Sequence, residues 1–145
     1  MQEMNSLTHS VWTCKYHVVW IPKHRKKKLY GDIAKYLGET FHELARQRES
    51  LIVEGHICPD HIHMLIEIPP KHSVAQVVGY IRGKSAIHIA RTYMRRKRNF
   101  TGENFWAKGY YVSTVGRDEE SIKKYIRKQE VEDKRLDQLE LFKDN

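Results

Sequence analysis

From Pro59 onward the chain alternates: Ile62, Met64, Ile66 and Ile68 fall on one side, and His61, His63, Leu65 and Glu67 on the other. A period of two is that of a half-buried strand, so His61 and His63 share one face. The apolar run Leu51 to Cys58 precedes it across Pro59-Asp60, a tight-turn dipeptide, and the pair predicts a hairpin with the histidines at the start of its second strand. Val11 to Ile21, rich in Val, Trp, Tyr and Ile and closed by Pro22, predicts a first strand, and Tyr110 to Val115 a fourth.

Between these runs the period changes. Ile33, Leu37, Phe41 and Leu44/Ala45 form a stripe at helical spacing behind Asp32, a suitable cap. Pro69-Pro70 ends the hairpin, and Ser73-Val74-Ala75-Gln76 has capping-box spacing for a second helix carrying Val74, Val77, Val78, Ile81 and Ile89. A last helix, with Asp118 as its cap and Glu119 and Glu120 in its first turn, carries Ile122, Tyr125, Ile126 and Gln129. The order βαββαβα predicts an α+β fold: a ferredoxin-like, RRM-like split βαβ antiparallel sheet, with an extra C-terminal helix. Two helices then cover the Ile62/Met64 face, and His61 and His63 point to the other, where the last helix can cross them. The chain reads as a single domain, residues 1–145, with a charged tail from Glu132 to Asn145 expected to be mobile or to pack against a partner.

Charge narrows the partner. Lys and Arg number 26 against 18 Asp and Glu, a net charge of +8, the balance of a protein that meets phosphates. The basic loop residues Lys23, Arg25, Lys26, Lys27 and Lys28, Arg82 and Lys84 on the second helix, and Arg95 in its basic extension are the candidate nucleic-acid contacts. Trp20, Tyr30 and Tyr93 are nearby rings that could stack on bases. Residues 1–9 lack the order of a secretory signal, no apolar run reaches the length of a membrane span, and no Gly-rich phosphate loop occurs. A cytoplasmic protein without membrane or nucleotide cofactor is expected. Cys14 and Cys58, with no CxxC spacing, read as reduced core residues.

Tyr125 and Gln129 are separated by four residues, so on a helix they project from one side, about 5 to 6 Å apart at Cβ. Two imidazoles, an amide oxygen and a phenol together suit metal-assisted cleavage of a phosphodiester. His61, His63 and Gln129 would hold magnesium, manganese or zinc, and Tyr125 would be the nucleophile. Glu67, on the histidine face, is a candidate supporting carboxylate. A non-catalytic single-stranded RNA- or DNA-binding module explains charge and fold equally well. It leaves the His, Tyr and Gln constellation without a purpose.

Five segments, in order, resemble one family: Lys15-Tyr16-His17-Val18-Val19-Trp20-Ile21-Pro22-Lys23, Pro59-Asp60-His61-Ile62-His63, Val77 to Ser85, Phe105-Trp106-Ala107-Lys108-Gly109-Tyr110-Tyr111, and Tyr125-Ile126-Arg127-Lys128-Gln129. The chain is similar to the small single-tyrosine HUH transposases of bacterial insertion sequences. That resemblance implies a homodimer acting on single-stranded DNA with hairpins near the element ends. It implies magnesium or manganese held by His61, His63 and Gln129, and attack by Tyr125 that leaves a 5′-phosphotyrosine. A domesticated relative acting on genomic palindromes would carry the same site.

Overall fold

The structure is a computed structural model and describes residues 5–7, 10–23, 29, 31–93, 105–116 and 119–143. In chain order the elements are β1 (Asn5–Leu7), β2 (Ser10–Trp12), β3 (Lys15–Trp20), α1 (Gly31–Gln47), β4 (Leu51–Cys58), β5 (His61–Glu67), α2 (Val74–Tyr93), β6 (Tyr111–Val115) and α3 (Glu119–Lys143). The main sheet runs β4-β5-β3-β6 with every neighbouring pair antiparallel. That is the ferredoxin-like order, with α3 as the additional helix.

The first strand differs from expectation. Val11 to Ile21 is not one strand: β2 pairs only with β1, and β3 alone joins the main sheet. The chain changes sheets at Thr13-Cys14, where the Cys14 carbonyl accepts the Ile68 amide at 2.9 Å. Both halves are equally rich in strand-forming residues, so local composition carries no mark of the switch. Helix α1 begins at Gly31, two residues earlier than a cap at Asp32 requires, and Asp32 sits in its first turn. Ser73 caps α2 as expected, its Oγ accepting the Gln76 amide at 3.0 Å. The proposed cap Asp118 lies outside the described residues. Helix α3 continues to Lys143, through most of the segment expected to form a tail.

One apolar core sits between the sheet and the first two helices. Leu37, Phe41 and Leu44 of α1 and Val77, Val78, Ile81 and Ile89 of α2 pack with Val18, Trp20, Ile62, Met64 and Ile66. Each such side chain contributes roughly 1.5 to 3 kcal/mol by leaving water. Trp20 belongs here rather than on a base-stacking surface: it is 1 % exposed, edge-on to Phe41 and Trp106 at 5.5 and 6.0 Å. Trp106 in turn donates from Nε1 to Ser85 Oγ at 3.1 Å, which ties the 105–110 segment to α2.

Helix α3 crosses the opposite face. At its start Glu119 Oε1 meets Lys15 Nζ of β3 at 2.6 Å, both side chains being largely buried. Further along, Arg127 reaches Glu54 of β4 at 3.1 Å. Ile126 and Leu65 are fully buried yet stand outside the main core, on the two surfaces that meet there. Among the described residues no helix is long and apolar enough to cross a membrane.

Candidate active site

The turn at Pro59-Asp60 has only two residues, so Cys58 pairs directly with His61, and His56 with His63. From β3, Val19 lies opposite His63 and His17 opposite Leu65, and from β6, Tyr111 lies opposite Val19. Cross-strand partners share a face. Register therefore collects His17, His56, Cys58, His61, His63 and Tyr111 on the side away from α1 and α2.

His63 is the centre of this group. It is 2 % exposed, and its ring centroid lies 5.4 Å from His61, 6.0 Å from His56, 6.1 Å from His17 and 5.8 Å from Tyr125. Tyr125 comes from the first turns of α3 in the same chain, edge-on to His63 and to His17 at interplanar angles of 80° and 81°. The helix leaves it 52 % exposed. A ring fixed against the histidines with half its surface in solvent is accessible to an extended strand.

His61 is oriented by its neighbour in the turn. Its Nδ1 lies 2.8 Å from Asp60 Oδ1, and an N–H donated to that carboxylate leaves Nε2 with the lone pair that a metal needs. Asp60 thus stands at His61 in the supporting position for which Glu67 was a candidate. Glu67 is four residues beyond His63, roughly 13 Å along a strand, where it pairs across with Lys15.

The donor set fits a divalent ion. Ligand atoms of Cys58, His61 and His63 all lie within 4.8 Å of one another, close enough that small side-chain shifts bring them onto one centre with bonds of about 2.0 to 2.3 Å. His63 Nε2 and Cys58 Sγ are separated by 3.9 Å. Gln129 stands one turn after Tyr125, half-buried, on the same flank of α3.

His17 completes the floor. Burial pushes its pKa below the usual histidine value, so the ring is neutral at neutral pH. Its Nε2 is buried without a hydrogen-bond partner.

Three of the candidate basic residues, Lys23, Arg82 and Lys84, fall within the described residues. Arg25, Lys26, Lys27, Lys28 and Arg95 lie outside the described residues. Lys23 is half-buried and its amide donates to the Phe105 carbonyl at 2.9 Å. Arg82 donates to the carbonyls of Ala107 and Lys108, so part of its fork holds the 105–110 segment. Lys84 is exposed on α2, its Nζ 5.9 Å above the Tyr80 ring. Both α2 residues are in the layer on the other side of the sheet from the histidines.

Four residues of the site escaped the sequence reading: His17, His56, Cys58 and Asp60. Cys58 was legible in principle, because a two-residue turn forces residues 58 and 61 to be partners. The same hairpin register sets His56 against His63, whereas the position of His17 follows only from the pairing that β3 acquires from across the chain.

An antiparallel ferredoxin-like sheet carries a histidine cluster on one face and is crossed there by a tyrosine-bearing helix, and likeness to known proteins gives the class, a transposase. The family model described as "Transposase IS200 like" matches residues 10–129. The chain belongs to the IS200-like transposase family. It is 40 % identical to the transposase for insertion sequence element IS200 of Salmonella typhimurium, covering 97 % of this chain and 93 % of that protein. The ISDra2 transposase TnpA of Deinococcus radiodurans is 29 % identical over 88 % of this chain and 91 % of its own length. A crystal structure of a candidate transposase from D. radiodurans superimposes with a TM-score of 0.70 at 26 % identity, covering 87 % of this chain and 98 % of that one. A REP-associated tyrosine transposase bound to a REP hairpin shares the fold, with a TM-score of 0.64 at 16 % identity over 91 % and 74 % of the two chains.

Proposed function

We propose that this transposase cleaves and rejoins single-stranded DNA at the ends of an insertion sequence, with Tyr125 as nucleophile and His61, His63 and Gln129 as the protein ligands of a magnesium or manganese ion. One observation carries the reading: the Tyr125 ring sits 5.8 Å from that of His63 while half its surface stays open to solvent.

An unperturbed phenol, with a pKa near 10, is a poor nucleophile at neutral pH. A divalent ion held by His61, His63 and Gln129 would supply Lewis acidity at the phosphate. Helix α3 contributes orientation, because Tyr125 is one residue from the buried anchor Ile126 and cannot wander from the sheet. The Tyr125 oxygen forms a bond to phosphorus as the bond to the DNA 3′ oxygen breaks. The phenol proton leaves, and one is delivered to the departing hydroxyl. The 5′ end remains esterified to Tyr125, retaining the energy of the diester, so attack by another 3′-hydroxyl rejoins DNA with no nucleotide consumed.

Two element ends require two tyrosines, which is the physical case for a homodimer acting in the cytoplasm. DNA hairpins are the expected recognition element, a reading supported by the hairpin named in the REP-associated relative. The likeness to that relative also favours, as a second reading, action on scattered genomic palindromes. The 40 % identity to an insertion-sequence transposase favours the first.

The test is incubation of the full chain with labelled oligonucleotides from either side of its gene, with and without magnesium, followed by a denaturing gel. A covalent band formed only on single strands and only with the ion is expected. Its absence with every flanking strand would overturn the reaction.

A further inference from the structure

We infer that Cys58 is a ligand at this centre, making with His61 and His63 a set of two nitrogens and one sulfur that takes a thiophilic divalent ion, zinc above all, in preference to magnesium. The inference rests on the reading of His61 and His63 as metal ligands and adds the thiolate to it. Cys58 is 1 % exposed, yet it stands outside the cluster packed under α1 and α2: its cross-strand partner is His61, on the opposite face. Its Sγ lies 3.9 Å from His63 Nε2. A tetrahedral zinc with its usual bond lengths would hold sulfur and nitrogen about 3.6 Å apart, a few tenths from what is observed. His61 brings a third donor within 4.8 Å of both, more than a packed thiol needs.

The chemistry of the three donors decides which ion they select. Magnesium takes hard oxygen ligands and keeps its waters, gaining little from sulfur. Zinc and cobalt gain a strong bond from a thiolate, at the cost of the thiol proton, which passes to solvent on binding. Access is from the His61 side, since that side chain is 24 % exposed whereas Cys58 and His63 are closed off. Zinc held by all three residues competes with magnesium for the same two imidazoles, and Cys58 sets the outcome of that competition.

Cobalt titration of the full chain tests this, because a thiolate bound to divalent cobalt gives a charge-transfer absorption in the near ultraviolet that imidazole and carboxamide ligands do not. Wild type and Cys14→Ser should both show the band at stoichiometric cobalt. Cys58→Ser should lose it, with zinc affinity lowered roughly tenfold or more. Circular dichroism of Cys58→Ser and Cys58→Ala identifies which variant is folded for the comparison. Cobalt that binds wild type without the band, in a manner removed by His61→Ala, would overturn the role of Cys58 while leaving the two-histidine centre standing. A band that persists in Cys58→Ser would overturn it as well. Failure of wild type to bind any ion through His61 would sink both readings together.

Discussion

Tyr125 and His63 meet edge to ring at 80°, their centroids 5.8 Å apart, although 62 residues of chain separate them. One is half exposed on a surface helix and the other almost wholly buried on the sheet beneath it. The contact couples a half-exposed phenol ring to a histidine that the surrounding strands hold still. Substituting Tyr125→Phe keeps that ring contact and removes only the oxygen. The variant should melt within about 0.5 kcal/mol of wild type and shift hairpin DNA in a native gel, yet form no covalent adduct on a denaturing one. An adduct of wild-type intensity would remove Tyr125 from the chemistry.

Asp60 holds His61 from its Nδ1 side at 2.8 Å. Loss of such a carboxylate typically weakens metal binding about 10- to 100-fold. Asp60→Ala should therefore lower manganese affinity by that range in a calorimetric titration, with a folded circular dichroism spectrum. His61→Ala should bind still more weakly.

Docking of α3 depends on two contacts of unequal weight. The Lys15–Glu119 pair is 10 % and 14 % exposed, so Glu119→Gln leaves a poorly hydrated ammonium and should cost on the order of 1 to 3 kcal/mol in urea unfolding. The exchanged pair Lys15→Glu with Glu119→Lys should recover part of that. Arg127 at Glu54 is 56 % exposed, and Arg127→Ala should cost under about 1 kcal/mol. Equal losses at the two sites would contradict this ranking.

Ile126 is the apolar anchor of the same helix, fully buried beside the exposed Tyr125. Ile126→Ala should destabilise the fold by about 2 to 5 kcal/mol. At temperatures where the variant is still folded, its rate of adduct formation should fall more than its affinity for hairpin DNA, since the nucleophile loses its placement. Parallel losses in both would indicate that α3 serves binding alone.

His17 introduces a pH dependence. Burial lowers its pKa in the folded chain below the ordinary histidine value near 6.5, so the unfolded chain binds more protons as pH falls through that value. The folded state must then lose stability from about pH 6.5 downward. His17→Asn should flatten that part of the stability profile measured by chemical unfolding of the metal-free chain. An unchanged slope would assign the dependence to other groups.

The repeating patterns along the chain were legible because each rests on local geometry. The stripe Ile33, Leu37, Phe41, Leu44 needs only about 3.6 residues per turn, and the alternation from His61 to Ile68 only the pleat, so α1, β5 and the shared face of His61 and His63 could be read directly. The N-terminal run could not be divided correctly. Leaving one sheet for another at Thr13-Cys14 depends on where the end of β5 lies, which no neighbour in sequence reports.

The same division runs through the site. The sequence by itself put His61 and His63 on one face of a strand, and its short-range spacing set Cys58 against His61 and Tyr125 in line with Gln129. Only the tertiary structure decided that β3 delivers His17 to that face, that Asp60 rather than Glu67 supports His61, and that α3 lays Tyr125 over the histidines of its own chain. The reason is physical: periodicity fixes the direction of a side chain relative to its own element. The distance between elements is a property of the packed core and the two helix-to-sheet ion pairs, which join residues 104 and 73 positions apart.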